Sequence, residues 1–168
     1  PERDLEWTET GVAASYKFIN KIWELFEKSF SYKSDLKNVD KKIIGKFDRI
    51  INDISNNIEG FHFNKSVAKI YEYVNLLSSL VSKKSIHEDS LSKTIHNLTI
   101  IIHPFIPHLS EEMWQKMGMD GLCASANWPK TQQFFKEDVI KMPIQINGKT
   151  RSLVEITNDE DKNLVMKK

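Results

Sequence analysis

Apolar residues recur at intervals of three and four along most of this chain of 168 residues, and that spacing places them on one face of an α-helix. Four long stripes of this kind follow one another. The first is Val12, Tyr16, Ile19, Trp23, Phe26 and Phe30, and the second is Leu36, Val39, Ile43, Phe47, Ile50, Ile54 and Ile58. The third is Phe63, Val67, Ile70, Val74, Leu77 and Val81, and the fourth is Leu91, Ile95, Leu98 and Ile102. Each stripe predicts an amphipathic helix.

Residues that start or end helices separate the stripes. Gly60 follows the second stripe, Asn64 is placed to cap the third helix, and Pro104 ends the fourth. A fifth, shorter helix is predicted between Pro107 and Gly118. Its inward-facing residues are expected to be Leu109, Met113, Trp114 and Met117.

These helices predict a mainly α protein. Amphipathic helices joined by short connections cannot bury their stripes alone, so we expect an antiparallel helical bundle over residues 10–118. Residues 119–138 have no apolar period and predict a connecting loop. Residues 142–146 and 149–156 alternate on either side of Asn147–Gly148, a dipeptide typical of two-residue hairpin turns. We therefore expect residues 139–168 to be a β-hairpin and a helix start that open a small, truncated α/β domain.

The composition excludes several classes of protein. Cys123 is the single cysteine, which excludes an internal disulfide framework and fits a reducing compartment. The sequence contains no run of about 18 apolar residues, so no membrane span is expected. The first residues do not resemble a secretion signal. The sequence starts without Met and stops in a polar, helix-like stretch, so we expect it to be part of a longer polypeptide.

Catalytic motifs for nucleotide binding, serine hydrolysis or zinc proteolysis do not occur in the sequence. His103 and His108 stand close to Glu111 and Glu112, which leaves a small metal enzyme as one hypothesis. Two prolines break the helix between the histidines, so a helix–proline–helix corner is the favoured interpretation, with no metal ligand and no catalytic residue.

Charge is distributed unevenly although the formal net charge is only +1. Residues 1–27 carry six acids and three bases, whereas residues 28–49 carry seven bases and three acids. This basic band could contact phosphates or could be a solvated helix face, and composition alone favours neither. Lys149 and Arg151 lie two residues apart on a predicted strand and so would share one of its faces.

Several segments resemble bacterial leucyl-tRNA synthetases. The start resembles the passage from the catalytic core into the helical anticodon-binding domain of that family, and residues 61–77 resemble the domain's middle helix. The corner over residues 103–118 and the following Trp128–Pro129 pair also resemble several class I synthetases for aliphatic amino acids. The predicted hairpin is similar to the one that opens the family's small C-terminal domain, except that Ser152–Leu153 replaces Gly–Lys. The segments are PERDLEWTETGVAASYKFINKIWELF, FHFNKSVAKIYEYVNLL, HPFIPHLSEEMWQKMG and PIQINGKTRSLVEI.

The resemblance implies that this chain docks tRNA-Leu within a leucine–tRNA ligase, through phosphate, sugar and shape contacts. The family's adenylate-forming motifs and editing domain do not occur here, so ATP and magnesium would be used by the full-length enzyme and not by this part. Residues 1–9 would be the link from the catalytic core. The partners implied are tRNA-Leu and the rest of the polypeptide. We further expect a cytoplasmic monomer without a membrane partner.

The residues expected to contact RNA are Lys149 and Arg151 on the hairpin, with Lys42, Lys46 and Arg49 as further candidates. Large side chains on the apolar stripes are expected to be core residues and not platforms for bases: Trp23, Phe26, Met113 and Trp114. Two alternatives remain at this point. One is the equivalent domain of a valyl, isoleucyl or methionyl relative, and the other is a helical protein-interaction module with no RNA partner.

Overall fold

The computed structural model describes residues 8–131, together with the backbone of 139–146 and 149–157. The chain forms two compact units that divide between residues 132 and 133. The first unit is built from five helices, which confirms the predicted mainly helical bundle. Their bounds are α1 Glu9–Phe30, α2 Lys41–Glu59, α3 Phe63–Ser82, α4 Glu88–Ile102 and α5 Pro107–Lys116.

Contacts between side chains show the relative directions of the first three helices. The rings of Phe18 and Tyr71 stack with their centroids 3.6 Å apart, and Lys21 Nζ donates to Asn75 Oδ1 at 2.7 Å. Residue numbers rise together in these pairs, so α1 and α3 run in the same direction. Lys69 Nζ lies 3.0 Å from Asp53 Oδ2, and this pair is nearer the start of α3 and nearer the end of α2 than the contact between Phe47 and Tyr73.

The pairing of α2 with α3 is therefore antiparallel. Phe47, in the first half of α2, meets Tyr73, in the second half of α3, at 4.6 Å between ring centroids. Asp53 lies further along α2, whereas its partner Lys69 lies earlier in α3. It follows that α2 begins at the same end of the bundle at which α1 and α3 end.

The core is formed by the helix faces that meet inside the bundle. Tyr73 is fully buried in this core and donates its hydroxyl to the Thr94 carbonyl oxygen at 2.9 Å. Burial raises the pKa of Tyr73, and the nearby charge of Asp48 raises it further. The other large side chains with almost no exposure are Phe26, Phe47, Ile22, Ile51, Ile54, Leu77, Ile86, Leu98, Ile101, Ile102 and Met113.

The apolar stripe predicted for α1 is only partly a core face. Phe26 is buried, but Val12, Tyr16 and Phe30 are 47%, 67% and 57% exposed. The buried positions of α1 are Ile22, Leu25 and Phe26, and every residue from 8 to 17 is exposed. Periodicity gives the spacing of a helix face correctly, but only the neighbouring helices decide which face and which turns become buried.

Three helices end in the same type of hydrogen-bonded turn, in which the second residue past the helix adopts positive φ. In α5 that residue is Gly118, at φ 72°. In α2 it is Phe61, at φ 57°, because Gly60 keeps a negative φ. In α3 it is Lys84, at φ 50°. The α3 turn is closed by Ser85 N–H donating to the Leu80 carbonyl oxygen at 2.9 Å.

Helix starts differ in how they are capped. Thr8 Oγ1 and Asp40 Oδ1 accept backbone N–H groups at the starts of α1 and α2. Asn64 does not cap α3, since the helix already begins at Phe63 and the capping position is taken by His62. Among the described helices, none has the length and apolar character that spanning a bilayer requires.

The second unit contains two antiparallel strands, β1 Val139–Ile146 and β2 Lys149–Thr157. Ile146 is paired with Lys149, and the Asn147–Gly148 turn predicted between them lies outside the described residues. The register shifts between Ile144 and Gln145, because Ile144 pairs with Ser152 whereas Gln145 pairs with Thr150. Arg151 is therefore the extra residue of a β-bulge.

Candidate nucleic-acid interface

Lysine residues collect at the end of the bundle where α1 and α3 end and α2 begins. Residues 28–42 and 83–89 meet there, and these segments carry seven lysines against four acids. The lysines are Lys28, Lys33, Lys37, Lys41, Lys42, Lys83 and Lys84, all of them exposed. We call this set the lysine end. Exposed ammonium groups in such number attract a polyanion without reading base identity.

The basic band over residues 28–49 is divided by the structure. Lys42 and Lys46 lie one turn apart on the first half of α2, and both are exposed. Arg49, one turn further, is half-buried and already engaged in an interaction inside the protein. Of the three predicted contacts on α2, two are thus presented to solvent, at and just beyond the lysine end.

Lys83 and Lys84 were missed by the sequence analysis, because they lie more than 30 residues from the basic band. The tertiary structure brings them beside it. Tyr32, just past α1, donates its hydroxyl to the Ile86 carbonyl oxygen at 2.8 Å, and Lys33 Nζ lies 3.4 Å from Glu88 Oε2. The sequence does contain a signal for them, because two consecutive lysines follow the third apolar stripe, at the point where the third helix is expected to end.

Two of the four acids at the lysine end, Asp40 and Glu88, have defined structural roles. Asp40 accepts the backbone N–H of Lys42 at 2.8 Å and caps α2. Glu88 accepts the backbone N–H of Ser34 at 3.3 Å, which is the main cause that lowers its pKa, and Lys33 adds to the effect. These carboxylates are therefore held against the protein, which leaves most of the surrounding ammonium groups to solvent.

Lys149 and Arg151 lie in β2, in the other unit. The prediction that they share a face assumed strict alternation along the strand. The β-bulge interrupts that alternation at Arg151. Their role in RNA binding remains a prediction from the sequence.

The corner around the two histidines is held by hydrogen bonds. His103 Nε2 lies 3.1 Å from Glu111 Oε1, and Glu111 also accepts the backbone N–H groups of Cys123 and Ala124 at 2.9 and 3.0 Å. Partial burial raises the pKa of Glu111, but these hydrogen bonds outweigh it and the pKa is lowered. His108 is exposed.

These hydrogen bonds give Glu111 a structural role and do not favour the hypothesis of a metal enzyme. Across the described residues, no group of three or more His, Cys, Asp or Glu side chains is close enough to hold a metal ion. Cys123 is buried beside Ser110, whose hydroxyl lies 3.1 Å from its sulfur. Burial raises the pKa of the Cys123 thiol, which disfavours the thiolate that a nucleophile requires.

The large side chains of the apolar stripes are core residues, as predicted. Phe26 and Met113 are fully buried and Trp114 is 6% exposed. Trp23 is half-buried and packs against Phe26, while Lys116 Nζ lies 5.3 Å from the centre of its ring. Burial leaves Phe26, Met113 and Trp114 unavailable as stacking platforms for a base, and Trp23 packs against the edge of the same core.

Residues 40–166 match the family described as the anticodon-binding domain of tRNA ligases. The chain belongs to this family. The match covers α2 to α5 and both strands of the second unit, so the anticodon-binding domain family accounts for most of both units. Four residues of the lysine end lie within the matched range, namely Lys41, Lys42, Lys83 and Lys84.

Relatives and a solved structure are similar to this anticodon-binding domain over nearly its whole length. A leucine–tRNA ligase of Ruegeria pomeroyi is 34% identical over 99% of this chain and 19% of its own. One of Fusobacterium nucleatum is 32% identical over 99% and 21%. A crystal structure of an Agrobacterium radiobacter LeuRS–tRNA–LeuAMS complex has a similar fold, with a TM-score of 0.75, 23% identity, and coverage of 97% of this chain and 22% of that one. The chain spans about a fifth of the length of the curated relatives.

Proposed function

We propose that this chain is the tRNA-docking part of a leucine–tRNA ligase. The observation that carries the proposal is that the leucine–tRNA ligase of Ruegeria pomeroyi aligns with 99% of the chain at 34% identity. In the complete enzyme this part would hold the body of tRNA-Leu so that the acceptor end reaches catalytic and editing sites elsewhere in the polypeptide. Its contribution to the reaction is positioning, since correct orientation of a reactant lowers the entropic part of the barrier.

The lysine end supports the proposal on physical grounds. Lysine ammonium groups act as point charges that bind phosphate oxygens, and each contact displaces a counterion from the RNA. Lys46, one turn beyond Lys42, extends this surface along α2. Binding of this kind reads the position of phosphates and the shape of the RNA and not its bases.

The remaining roles are assigned to other parts of the ligase. ATP and magnesium would serve leucyl-adenylate formation in the catalytic core, which we propose acts as a cytoplasmic monomer together with this part. The two strands of the second unit would be the hairpin that opens a small α/β domain, and the antiparallel pairing from Val139–Thr157 to Ile146–Lys149 supports that assignment. Lys149 and Arg151 would supply its RNA contacts.

A titration of labelled tRNA-Leu at about 50 and 200 mM KCl tests the proposal. We expect affinity to fall steeply with salt, because a site with several phosphate contacts loses orders of magnitude over this range. Changing Lys42 and Lys46 to Gln should lower the affinity and reduce the salt slope by about one unit per lysine. A matched variant carries Lys17→Gln and Lys65→Gln, which change two exposed lysines towards the opposite end of the bundle. It should retain the affinity and the salt slope of the unaltered chain.

Two alternatives give different results in the same titration. The domain of a valyl, isoleucyl or methionyl enzyme would prefer the corresponding tRNA in competition with tRNA-Leu. A protein-interaction module would show no salt-dependent binding to any tRNA. Absence of tRNA binding at about 50 mM salt would count against docking by this chain.

A further inference from the structure

A cleft at the lysine end is lined by two helix ends that are far apart in the sequence. It has a volume of about 430 Å³. The end of α1 contributes Lys28, Ser31, Tyr32 and Lys33, and the end of α3 contributes Ser82 and Lys84. We propose that this cleft is a binding site for phosphate groups of the RNA backbone, an inference that rests on the proposed tRNA-docking function.

The chemistry of the lining fits a phosphate. Three ammonium groups and the serine hydroxyls can donate hydrogen bonds to phosphate oxygens. Within the described part of the chain, neither Lys28 nor Lys84 forms an ion pair with an acidic side chain. Tyr32 is half-buried and its hydroxyl is already committed to the Ile86 carbonyl oxygen, so it forms a fixed wall and is not a stacking platform.

The acids around the cleft do not block it. Glu88 pairs with Lys33 across 3.4 Å, with the lysine side chain 82% exposed, and such surface pairs are weak. Glu27 is directed to Lys116 at 3.8 Å. Lys33 can therefore exchange Glu88 for a phosphate at little cost.

The turn that ends α3 holds the backbone of Lys84 at the cleft. This residue has φ 50° at the position past α3 where glycine is preferred, and a lysine there carries strain that a glycine would not. The turn fixes the Lys84 backbone at the cleft through its N–H, which donates to the Val81 carbonyl oxygen at 3.1 Å.

A purely structural role for Lys28 and Lys84 leads to a different expectation from phosphate binding. The ends of α1 and α3 carry partial negative charge, which Lys28 and Lys84 could neutralise. On that explanation alone, removing the lysines would lower stability without changing RNA affinity. Phosphate binding predicts that RNA affinity falls whether stability rises or falls.

The first test compares two triple variants of the full chain by fluorescence anisotropy with labelled tRNA-Leu at 50, 100 and 200 mM KCl. The cleft variant carries Lys28→Gln, Lys33→Gln and Lys84→Gln, and the charge-matched control carries Lys17→Gln, Lys65→Gln and Lys130→Gln. We expect the cleft variant to bind roughly tenfold or more weakly at 100 mM, with the salt slope reduced by about two to three. The control should change by less than about twofold.

The second test uses Lys84→Gly, with Phe61→Gly as its matched control, because both relieve positive φ at the same helix-end position. Each should raise the midpoint of thermal unfolding by about 2–4 °C. Only Lys84→Gly should weaken tRNA binding, by about two- to fivefold. A variant that is more stable and yet binds RNA less well cannot be explained by loss of fold.

Different results would overturn the proposal that the cleft binds phosphate and the proposal that the chain docks tRNA. Equal affinities and salt slopes for the cleft and control triple variants, or unchanged tRNA affinity in Lys84→Gly, would overturn the cleft while tRNA docking stands. No binding of tRNA-Leu by the unaltered chain at 50 mM KCl would overturn both. Loss of affinity for poly-L-glutamate with unchanged affinity for tRNA would assign the cleft to an acidic polypeptide and also overturn the proposal.

Discussion

The Glu111 carboxylate accepts the backbone N–H of Cys123 at 2.9 Å and thereby ties the segment after α5 to the bundle. This segment contains a short 3₁₀ turn over Cys123–Ser125. A further hydrogen bond, from Trp128 Nε1 to Ser55 Oγ at 2.7 Å, holds the segment against α2. Part of the stretch predicted as a connecting loop is therefore packed structure, and its anchor is one of two adjacent glutamates.

The first prediction concerns that anchor. Glu111→Gln replaces a carboxylate with an amide, so one of the oxygens that accept N–H groups becomes a donor and a hydrogen bond is lost. We expect the midpoint of thermal unfolding to fall by a few degrees. Glu112→Gln is the control, because Glu112 is exposed, and it should leave the midpoint within about one degree. Equal midpoints for the two variants would contradict the structural role of Glu111.

The second prediction concerns pH. The pKa of Glu111 is lower in the folded protein than its ordinary value of 4.5, so the folded state favours the charged carboxylate. The stabilisation is therefore present above pH 4.5 and is lost as the pH falls through the lowered, folded-state pKa. Urea midpoints of the unaltered protein and Glu111→Gln should differ at pH 7 and converge towards pH 3. A difference that grows on acidification would contradict the sign of this linkage.

The third prediction tests which residues of the α1 stripe support the fold. Phe26→Ala should cost about 3–5 kcal/mol of unfolding free energy, because a fully buried ring is removed from the core. Phe30→Ala, one turn further on the same predicted stripe, should cost less than about 1 kcal/mol, since Phe30 is 57% exposed. Urea denaturation measures both. Similar losses would mean that the stripe, and not its neighbours, determines burial.

The fourth prediction concerns the second unit. Changing Lys149 and Arg151 together to Ala should weaken tRNA-Leu binding by roughly tenfold and reduce the salt slope by one to two, since two phosphate contacts would be lost. Lys130→Ala with Lys141→Ala is the charge-matched control. An affinity and slope equal to those of the control would remove both residues from the RNA contacts.

The sequence by itself determined the number of helices, most of their bounds and the family. Apolar residues at intervals of three and four indicate helices, and Pro104, Pro107 and Gly118 end or start them through their backbone geometry. The segment HPFIPHLSEEMW and the predicted hairpin carried the resemblance that the family match then confirmed. These are local properties, readable from neighbouring residues alone.

Only the tertiary structure decided which parts of those helices are buried and which charges act together. Val12 and Phe26 have the same periodic signal, yet one is exposed and one is buried, because burial depends on what packs against each turn. Glu111 and Glu112 are neighbouring residues of the same type. Only the folded chain shows that Glu111 accepts the backbone N–H of Cys123. Lys28 and Lys84 are 56 positions apart, and the parallel alignment of α1 with α3 brings them to one cleft. Electrostatic attraction depends on distance in space, which sequence separation does not encode.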